Sequence, residues 1–226
     1  MSGKIAILGG EPLFPEGLPL MRPQLPSTDD LAPFLEEIRE SGYISNFGPI
    51  SQRYEIALAK YLGVKHCLAL SNLSTGLMYM PIAAGLTEGE IILPSFTFGA
   101  TVHSMKLGGL TPIFADITPD TLCLDPKSVQ EAITPRTVAI CGVHLYGTPC
   151  DIDALESIAN RNHLKLFFDS AHGLGSTHKG KPVGRSGMAE GFSTSVTKIF
   201  TTLGEGGFIS TNDDAFARRI QMARNW

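Results

Sequence analysis

The segment VAICGVHLYGTPCDIDALESIANRNHLKLFFD, residues 138–169, decides the fold class of this chain. It begins with an apolar run, Val138 to Val143, and continues through the turn Gly147-Thr148-Pro149 into a segment of helical period, Ile152 to Asn160. It ends with a second apolar run, Lys165 to Asp169. Two short apolar runs joined by a helix are typical of parallel strands with a helical crossover. The segment therefore predicts an α/β fold.

The same alternation of apolar runs and helical segments extends from about Lys65 to the end of the chain, without an internal repeat. We therefore predict a three-layer α/β/α domain with a mainly parallel, seven-stranded sheet. The predicted strands are His66 to Leu70, Glu90 to Leu93, Thr111 to Asp116, Val138 to Val143, Lys165 to Asp169, Gly191 to Thr194 and Gly207 to Thr211. The predicted helices are Thr75 to Ala84, Gly99 to Leu107, Pro126 to Ile133, Ile152 to Asn160 and Asp213 to Asn225.

The first 48 residues differ in composition from the rest of the chain. They are rich in Pro and Gly and contain one clear amphipathic helix, Asp30 to Ser41. We expect residues 1–48 to form an N-terminal arm that docks on the domain or on a partner subunit. Residues 49–226 are expected to form the large domain, which opens with a helix from Ile50 to Leu62.

Length and composition exclude several classes of protein. A chain of 226 residues with 43% hydrophobic content can bury one sizeable core, so disorder is not expected. The formal net charge is -4 and neither sign is gathered into a run, which argues against nucleic-acid or membrane-surface binding. The apolar stretch at the amino terminus is too short for a secretory signal, and no apolar run is long enough to span a bilayer. The sequence therefore predicts a cytoplasmic protein.

The four cysteines form no CxxC pair and lie mostly in apolar segments. We expect reduced, packed thiols and neither a disulfide framework nor a metal site. Cys150 follows Pro149 in a predicted loop, and a reactive thiol is the alternative interpretation of that residue.

The strongest signal for chemistry is Ser193-Thr-Ser-Val-Thr-Lys198, followed by Leu203-Gly-Glu-Gly-Gly207. A lysine beyond a strand, in a Ser/Thr-rich turn followed by glycines, can be desolvated enough to act as a neutral amine and condense with an aldehyde. The hydroxyl of Ser193 is placed to bind a phosphate. An isolated lysine is more often a solvated surface residue, so the interpretation of Lys198 depends on the residues that accompany it.

Asp169 closes an apolar run, which places a carboxylate at the carboxyl end of a strand, where open α/β sheets bind their ligands. Held against a pyridine nitrogen, this carboxylate would keep the nitrogen protonated. The alternative is a helix N-cap before Ser170-Ala-His172. His172 is a candidate donor to a phenolic oxygen of the same ring, or a partner of a local backbone carbonyl.

The segment Ser71-Asn-Leu-Ser-Thr-Gly76 lies between a predicted strand and a predicted helix. The backbone N–H groups and the hydroxyls of Ser74 and Thr75 therefore meet at a helix N-terminus, which suits a phosphate. Ordinary helix capping is the alternative. Phe98 follows the next strand and is a candidate to stack on a flat ring, although Phe96 shares its face if the segment is extended.

These four places, in this order, resemble the aspartate-aminotransferase-like fold (fold type I), and in detail the DegT/DnrJ/EryC1/StrS family of sugar aminotransferases. The resemblance covers nearly the whole chain. The matching segments are Ser41 to Pro49, Ser71 to Gly76, Pro94 to Phe98, Pro112 to Asp116, Thr134 to Thr137, Val143 to Gly147, Asp169 to His172 and Thr197-Lys198.

The resemblance implies a homodimeric enzyme with pyridoxal 5'-phosphate (PLP) as cofactor, which moves an amino group, usually from glutamate, to a keto sugar carried on a nucleoside diphosphate. It implies that Lys198 is the catalytic Schiff-base lysine, which also shuttles the proton between the donor's α-carbon and the cofactor. The cofactor-binding residues that it implies are Leu73 (through its backbone), Ser74, Phe98, Asp169, His172, Ser193 and Lys198. The loop that it implies for the sugar contains Asn46, Phe47 and Gly48.

Family members continue beyond the helix that contains Arg224 and Trp226, into a smaller carboxy-terminal domain. We expect that small domain to be absent from this chain. A truncated, catalytically idle PLP-binding homologue is therefore the main alternative to an active aminotransferase. A nucleotide-binding module is a further alternative, prompted by Gly173-Leu-Gly175, but His178 stands where the dinucleotide fingerprint has its third glycine. The sugar, its aminated carbon and its nucleotide are left open.

Overall fold

A seven-stranded sheet forms the centre of the structure, a computed structural model that describes residues 3–19 and 21–225. Its strands are β1 (His66–Leu70), β2 (Glu90–Pro94), β3 (Thr111–Ala115), β4 (Thr137–Val143), β5 (Lys165–Asp169), β8 (Ala189–Ser193) and β9 (Gly207–Thr211). The strand order across the sheet is β1-β9-β8-β5-β4-β2-β3. β9 runs antiparallel to both of its neighbours, and every other pair is parallel. The predicted mainly parallel, seven-stranded sheet is confirmed.

Helices cover both faces of this sheet. They are α1 (Thr28–Ser41), α2 (Pro49–Leu62), α3 (Leu73–Ala83), α4 (Gly99–Leu107), α5 (Pro126–Ala132), α6 (Ile152–Arg161) and α7 (Asp214–Ala223). Successive side chains of a strand point to opposite faces. Phe167 accordingly packs in the cluster formed with α3, α4 and α7, whereas Phe168 packs in the cluster formed with α5 and α6. The three-layer α/β/α prediction is therefore confirmed.

Capping residues set where the helices next to the sheet begin. Asn72 accepts the backbone N–H of Thr75 at 2.8 Å, so α3 begins at Leu73, two residues before the predicted start. Asp213 accepts the N–H of Phe216 at 2.8 Å, which makes it the N-cap of α7. α7 ends at Ala223 and not at Asn225 as predicted. The two terminal residues of the chain, Met1 and Trp226, lie outside the described residues.

Three short elements were not predicted. They are two 3-10 helices, Ala6–Leu8 and Leu145–Gly147, and a hairpin of β6 (Thr177–His178) and β7 (Lys181–Pro182). The hairpin turns at Lys179 and Gly180, which both have positive φ (51° and 74°). That pair of angles suits the tight turn of a two-residue hairpin.

The described part of the N-terminal arm contributes little to the core. α1 begins with a capping box between Ser27 and Asp30 but contains no buried residue. It contacts α2 through Arg53, whose guanidinium bonds Glu37 at 2.7 Å and lies 5.8 Å from the ring centroid of Phe34. The division of the chain at residue 48 stays a prediction.

Within the described residues, every helix is too short or too polar to cross a membrane.

Candidate functional site

A cavity of about 450 Å³ opens at the carboxyl edge of the parallel strands. Its walls come from the segments that follow β1, β2, β4, β5 and β8, so five connecting segments meet at one place. This is where open α/β sheets bind ligands, and the volume suits a small molecule. The lining residues are Asn72, Leu73, Ser74, Leu77, Phe96, Thr97, Phe98, Ala100, Val143, His144, Leu145, Tyr146, Asp169, Ala171, His172, Ser193, Ser195, Lys198 and Glu205.

The cavity brings together every residue that the sequence assigned to the cofactor. These residues come from four separate segments of the chain, and they are Leu73, Ser74, Phe98, Asp169, His172, Ser193 and Lys198. Their roles toward a cofactor stay predictions, but their common location gives those predictions a physical basis.

Lys198 lies in the loop after β8 and is half-buried. The backbone N–H of Lys198 donates to Ser195 O at 3.0 Å, and the N–H of Ser195 donates to the Ser193 hydroxyl at 3.4 Å. Among the described residues, the ammonium of Lys198 forms no salt bridge. The loop therefore places the Lys198 amine and the hydroxyls of Ser193 and Ser195 at the same cavity.

Asp169 is 4% exposed and is held by two hydrogen bonds. The hydroxyl of Thr101 donates to its Oδ2 at 2.7 Å, and the backbone N–H of Ala171 donates to its Oδ1 at 3.0 Å. A turn, and not a helix, follows Asp169, so the N-cap alternative is wrong. Because a carboxylate oxygen has two lone pairs, each oxygen retains one for a ligand.

The first turn of α3 forms the end of the cavity that suits a phosphate. Asn72 Oδ1 accepts both the N–H and the hydroxyl of Thr75, at 2.8 Å and 3.0 Å. The Thr75 hydroxyl is therefore committed to the cap, while Ser74 is exposed on the cavity. The N–H groups at the start of a helix have no partner within it and favour an anion.

Two phenylalanines line the cavity from the segment between β2 and α4. The exposed fraction is 77% for Phe98 and 47% for Phe96. Exposure of a whole aromatic ring is unfavourable unless something covers it. The structure places both rings at the cavity, so it does not single out Phe98.

His172 is exposed at the cavity and stacks on Tyr146, with ring centroids 5.7 Å apart and an interplanar angle of 8°. The backbone N–H of Tyr146 donates to Nδ1 of His172 at 3.2 Å, which assigns the proton of the neutral ring to Nε2. Burial and the nearby positive charge of Lys198 lower the pKa of His172, against the smaller opposing effect of Asp169. His172 is therefore a neutral donor at pH 7.

A buried polar group supports the cavity from behind. Glu190 is fully buried, and it accepts the Ser170 hydroxyl and the N–H of Ser186, both at 2.8 Å. His144 accepts the N–H of Cys150 through Nδ1 at 3.0 Å, and its Nε2 lies 3.4 Å from Glu190. These contacts fix Ser170, which follows Asp169, and His144, which lines the cavity.

The structure does not bring Asn46, Phe47 and Gly48 to the cavity. Instead, Asn46 donates to Asn225 Oδ1 at 2.8 Å, and the guanidinium of Arg224 lies 4.9 Å from the ring centroid of Phe47. The loop is therefore fixed to the carboxyl end of α7. The loop does not line the cavity of its own chain, and its contact with a sugar stays a prediction.

The sequence interpretation did not single out Thr101, Ser195 or Glu205. Thr101 lies four residues after Thr97, the spacing of neighbours on a helix, but a lone threonine carries no distinctive signal. Ser195 and Glu205 lie inside the two quoted motifs around Lys198, so their position was available although no role was assigned.

Two alternatives from the sequence are not supported. Cys150 is 2% exposed and its thiol donates to Val143 O at 3.2 Å, while the neighbouring Cys123 thiol and burial raise its pKa. A reactive thiol at this position is therefore disfavoured. Gly173 and Gly175 lie in a turn that leads into β6, whereas the dinucleotide fingerprint opens a helix. Within the described residues, no group of His, Cys, Asp and Glu is placed to hold a metal ion.

Comparison with known proteins gives one family and several close relatives. The family described as "DegT/DnrJ/EryC1/StrS aminotransferase family" matches residues 27–226. GDP-perosamine synthase of Caulobacter vibrioides is 40% identical over 192 residues, which are 84% of this chain and 52% of that protein. The chain spans about half the length of the curated relatives that it matches.

Solved structures agree with this result. DesI, determined in the presence of its TDP-sugar product, superposes with a TM-score of 0.90 and is 43% identical; the match covers 96% of this chain and 55% of DesI. NtdA of Bacillus subtilis, with the cofactor PMP bound, superposes with a TM-score of 0.75 at 31% identity, over 88% of this chain and 47% of NtdA.

Proposed function

Because this chain belongs to the DegT/DnrJ/EryC1/StrS aminotransferase family, we propose that it provides the large domain of a PLP-dependent nucleotide-sugar aminotransferase. One observation carries the proposal. A single cavity contains an amine, a buried carboxylate and a helix N-terminus with hydroxyls beside it, at Lys198, Asp169, and Ser74 with Ser193.

The residues of the cavity fit the three ends of PLP. The first-turn N–H groups of α3, with Ser74 and Ser193, suit its phosphate. Asp169, which keeps one free lone pair on each oxygen, suits a protonated pyridine nitrogen. Lys198 suits the aldehyde, and Phe98 offers a flat face to the ring. When bound, PLP supplies an aldehyde that condenses with amines and a ring that accepts electrons.

Lys198 has two tasks in this proposal. Its amine first binds the carbonyl carbon, which requires the neutral form. Once released by the donor's amine, the free Nζ would move the proton from the donor's α-carbon to the C4' carbon of the cofactor, and with the keto-sugar acceptor it would move a proton in the opposite direction. The half-buried position of Lys198, and its lack of a salt bridge within the described residues, leave it available for both.

In this proposal, His172 donates a hydrogen bond to the cofactor, and Asp169 accepts one from it. Nε2 of His172 carries its hydrogen because Nδ1 accepts the N–H of Tyr146. It can therefore donate to a phenolic oxygen on the ring without adding charge. Asp169 holds the pyridine nitrogen in its protonated form from the floor of the cavity, where burial strengthens the pairing.

We propose a keto sugar on a nucleoside diphosphate as the acceptor, and glutamate as the donor. The names of the relatives support the acceptor class, since GDP-perosamine synthase and DesI both handle nucleotide-linked sugars. The exposed rings of Phe96 and Tyr146 at the cavity offer surfaces on which a sugar or a base can stack.

We also propose a cytoplasmic homodimer in which the N-terminal arm (residues 1–48) docks on the second copy. Large apolar side chains of the arm are exposed in the single chain, with Ile7 and Leu13 at 88% and 86%. Asn46, Phe47 and Gly48 would then serve the sugar of the second copy, since they do not reach the cavity of their own chain.

The experiment adds PLP to purified protein and measures visible absorption, borohydride-stable labelling and the production of 2-oxoglutarate from glutamate with a keto sugar. We expect a lysine-dependent band and turnover. The band without 2-oxoglutarate would support the alternative of an idle PLP-binding homologue. The absence of both the absorption band and 2-oxoglutarate would contradict the proposal.

A further inference from the structure

Thr101 carries a buried hydroxyl that does not line the cavity itself but contacts Asp169, which does. It lies in the first turn of α4 with no exposed surface, and its Oγ1 is 2.7 Å from Asp169 Oδ2. An ionised carboxylate can only accept, so Thr101 must be the donor of this bond. A hydrogen bond to a charged acceptor is about twice as strong as one between neutral groups.

A second hydroxyl extends this contact to the cavity wall. Oγ1 of Thr97 is 2.8 Å from Oγ1 of Thr101, and Thr97 lines the cavity. A threonine hydroxyl has one hydrogen, which Thr101 gives to Asp169. Thr97 must therefore donate to Thr101. The result is a directed chain of hydrogen bonds from Thr97 through Thr101 to Asp169, in which each bond polarises the next.

The two bonds to Asp169 fix the plane of its carboxylate. Thr101 holds Oδ2 from α4, whereas the N–H of Ala171 holds Oδ1 from the chain after β5. The terminal torsion of an aspartate is otherwise broad, so a single bond would leave the group free to rotate. With both bonds present, the remaining lone pairs keep one direction relative to the cavity.

We propose that Thr101 is a positioning residue that aims the Asp169 carboxylate at the ring nitrogen of the cofactor, with Thr97 as its outer donor. The inference rests on the proposed function, because it concerns the partnership of Asp169 with PLP. The buried start of α4 would thereby influence the protonation of the pyridine nitrogen of the cofactor.

The test replaces Thr101 by Val, which has the same shape without the hydroxyl, and by Ser, which retains the donor. Two quantities are measured, the dissociation constant of PLP and the ¹⁵N chemical shift of its labelled pyridine nitrogen. We expect Thr101→Val to weaken PLP binding about tenfold, the effect of one charge-assisted hydrogen bond, and to move the shift toward the unprotonated ring. Thr101→Ser should restore both.

Thr211→Val is the matched control. Thr211 is also buried, at 3% exposed, and its hydroxyl donates to Met188 O at 2.7 Å, but it does not line the cavity. It should lower the melting temperature as Thr101→Val does and leave both cofactor readouts unchanged. Thr97→Val removes only the outer donor and gives a smaller change of the same sign, which tests the chain even if Thr101→Val does not fold.

Two outcomes separate this inference from the proposed function. If the wild-type chain binds no PLP, the proposed function fails. If the wild-type chain binds PLP and neither Thr101→Val nor Thr97→Val changes the ¹⁵N shift or the dissociation constant, the positioning role of Thr101 is wrong.

Discussion

At the scale of single residues, the protonation of His172 is the most informative feature. Burial and the charge of Lys198 lower its pKa from the usual value of about 6.5. A base with a lowered pKa in the folded state stabilises the fold above its unfolded pKa, and this contribution is lost as the pH falls. We predict the Nε2–H form of His172 at pH 7, observable by ¹⁵N NMR of the imidazole.

The cause of the shift can be tested through Lys198→Ala. Removing the positive charge should raise the pKa of His172 toward its usual value, because one of the two effects that lower it is gone. Lys181→Ala, which removes an exposed lysine outside the cavity, is the control and should leave the pKa of His172 unchanged. An unchanged titration of His172 would contradict the electrostatic contact between the two side chains.

The residues of the site were more predictable than their partners. Lys198 and Asp169 follow apolar runs at strand ends, so their position is set by local pattern and by parallel pairing. Thr101 donates to a residue 68 positions away, and Asn46 bonds one 179 positions away. Contacts at such separations depend on how helices pack, which no local pattern encodes.

At the scale of elements, the close approach of β9 to the first turn of α3 determines the phosphate end of the cavity. A Cβ on Gly207 would lie 2.7 Å from Leu73 N and 2.8 Å from Phe192 O, closer than atoms can pack. We predict that Gly207→Ala costs about 1–3 kcal/mol of stability and weakens PLP binding, since α3 must move. A Cβ on Gly204, in the loop before β9, would have no atom within 4 Å, so Gly204→Ala is the control. Equal melting temperatures and affinities for both variants would contradict this packing.

A second element-scale prediction concerns the loop that Arg224 holds. Its guanidinium is 4% exposed, pairs with Glu55 and donates to Ala69 O at 3.0 Å, while it covers the ring of Phe47. Arg224→Met leaves Glu55 without its partner, and we predict a loss of about 3–5 kcal/mol in denaturant unfolding. The exposed Arg218 of the same helix provides the control variant, Arg218→Met, which should cost little. A loss of stability below 1 kcal/mol for Arg224→Met would contradict the role of Arg224 as the buried partner of Glu55.

The strands β1, β5 and β9 contain apolar runs, and their bounds, like those of α4, were predicted correctly. The predicted β8, Gly191 to Thr194, begins two residues late because Glu190 interrupts the apolar run, and it ends one residue late. In the sheet, that carboxylate is satisfied by Ser170 and Ser186, so a charged residue is tolerated in a fully buried strand. The hairpin of β6 and β7 was missed because strands of two residues show no periodicity.

At the scale of the whole molecule, the sheet accounts for the cavity and the exposed surface accounts for the proposed partner. Five connecting segments converge at one edge, so the cavity follows from the topology. We predict that sedimentation of the purified chain gives a dimer, because the arm exposes apolar side chains that a second copy would cover. A monomer at micromolar concentration would contradict this arrangement of the chain.

The most direct test of the account is the visible absorption of the purified protein with added PLP, for the native chain and for Lys198→Ala, followed by borohydride reduction. Lys181→Ala, an exposed lysine outside the cavity, is the control. We predict an absorption band whose chromophore becomes covalently attached on reduction in the native chain and in the control, and no such attachment in Lys198→Ala. The same covalent label in Lys198→Ala, or no band in the native chain, would contradict the assignment of Lys198.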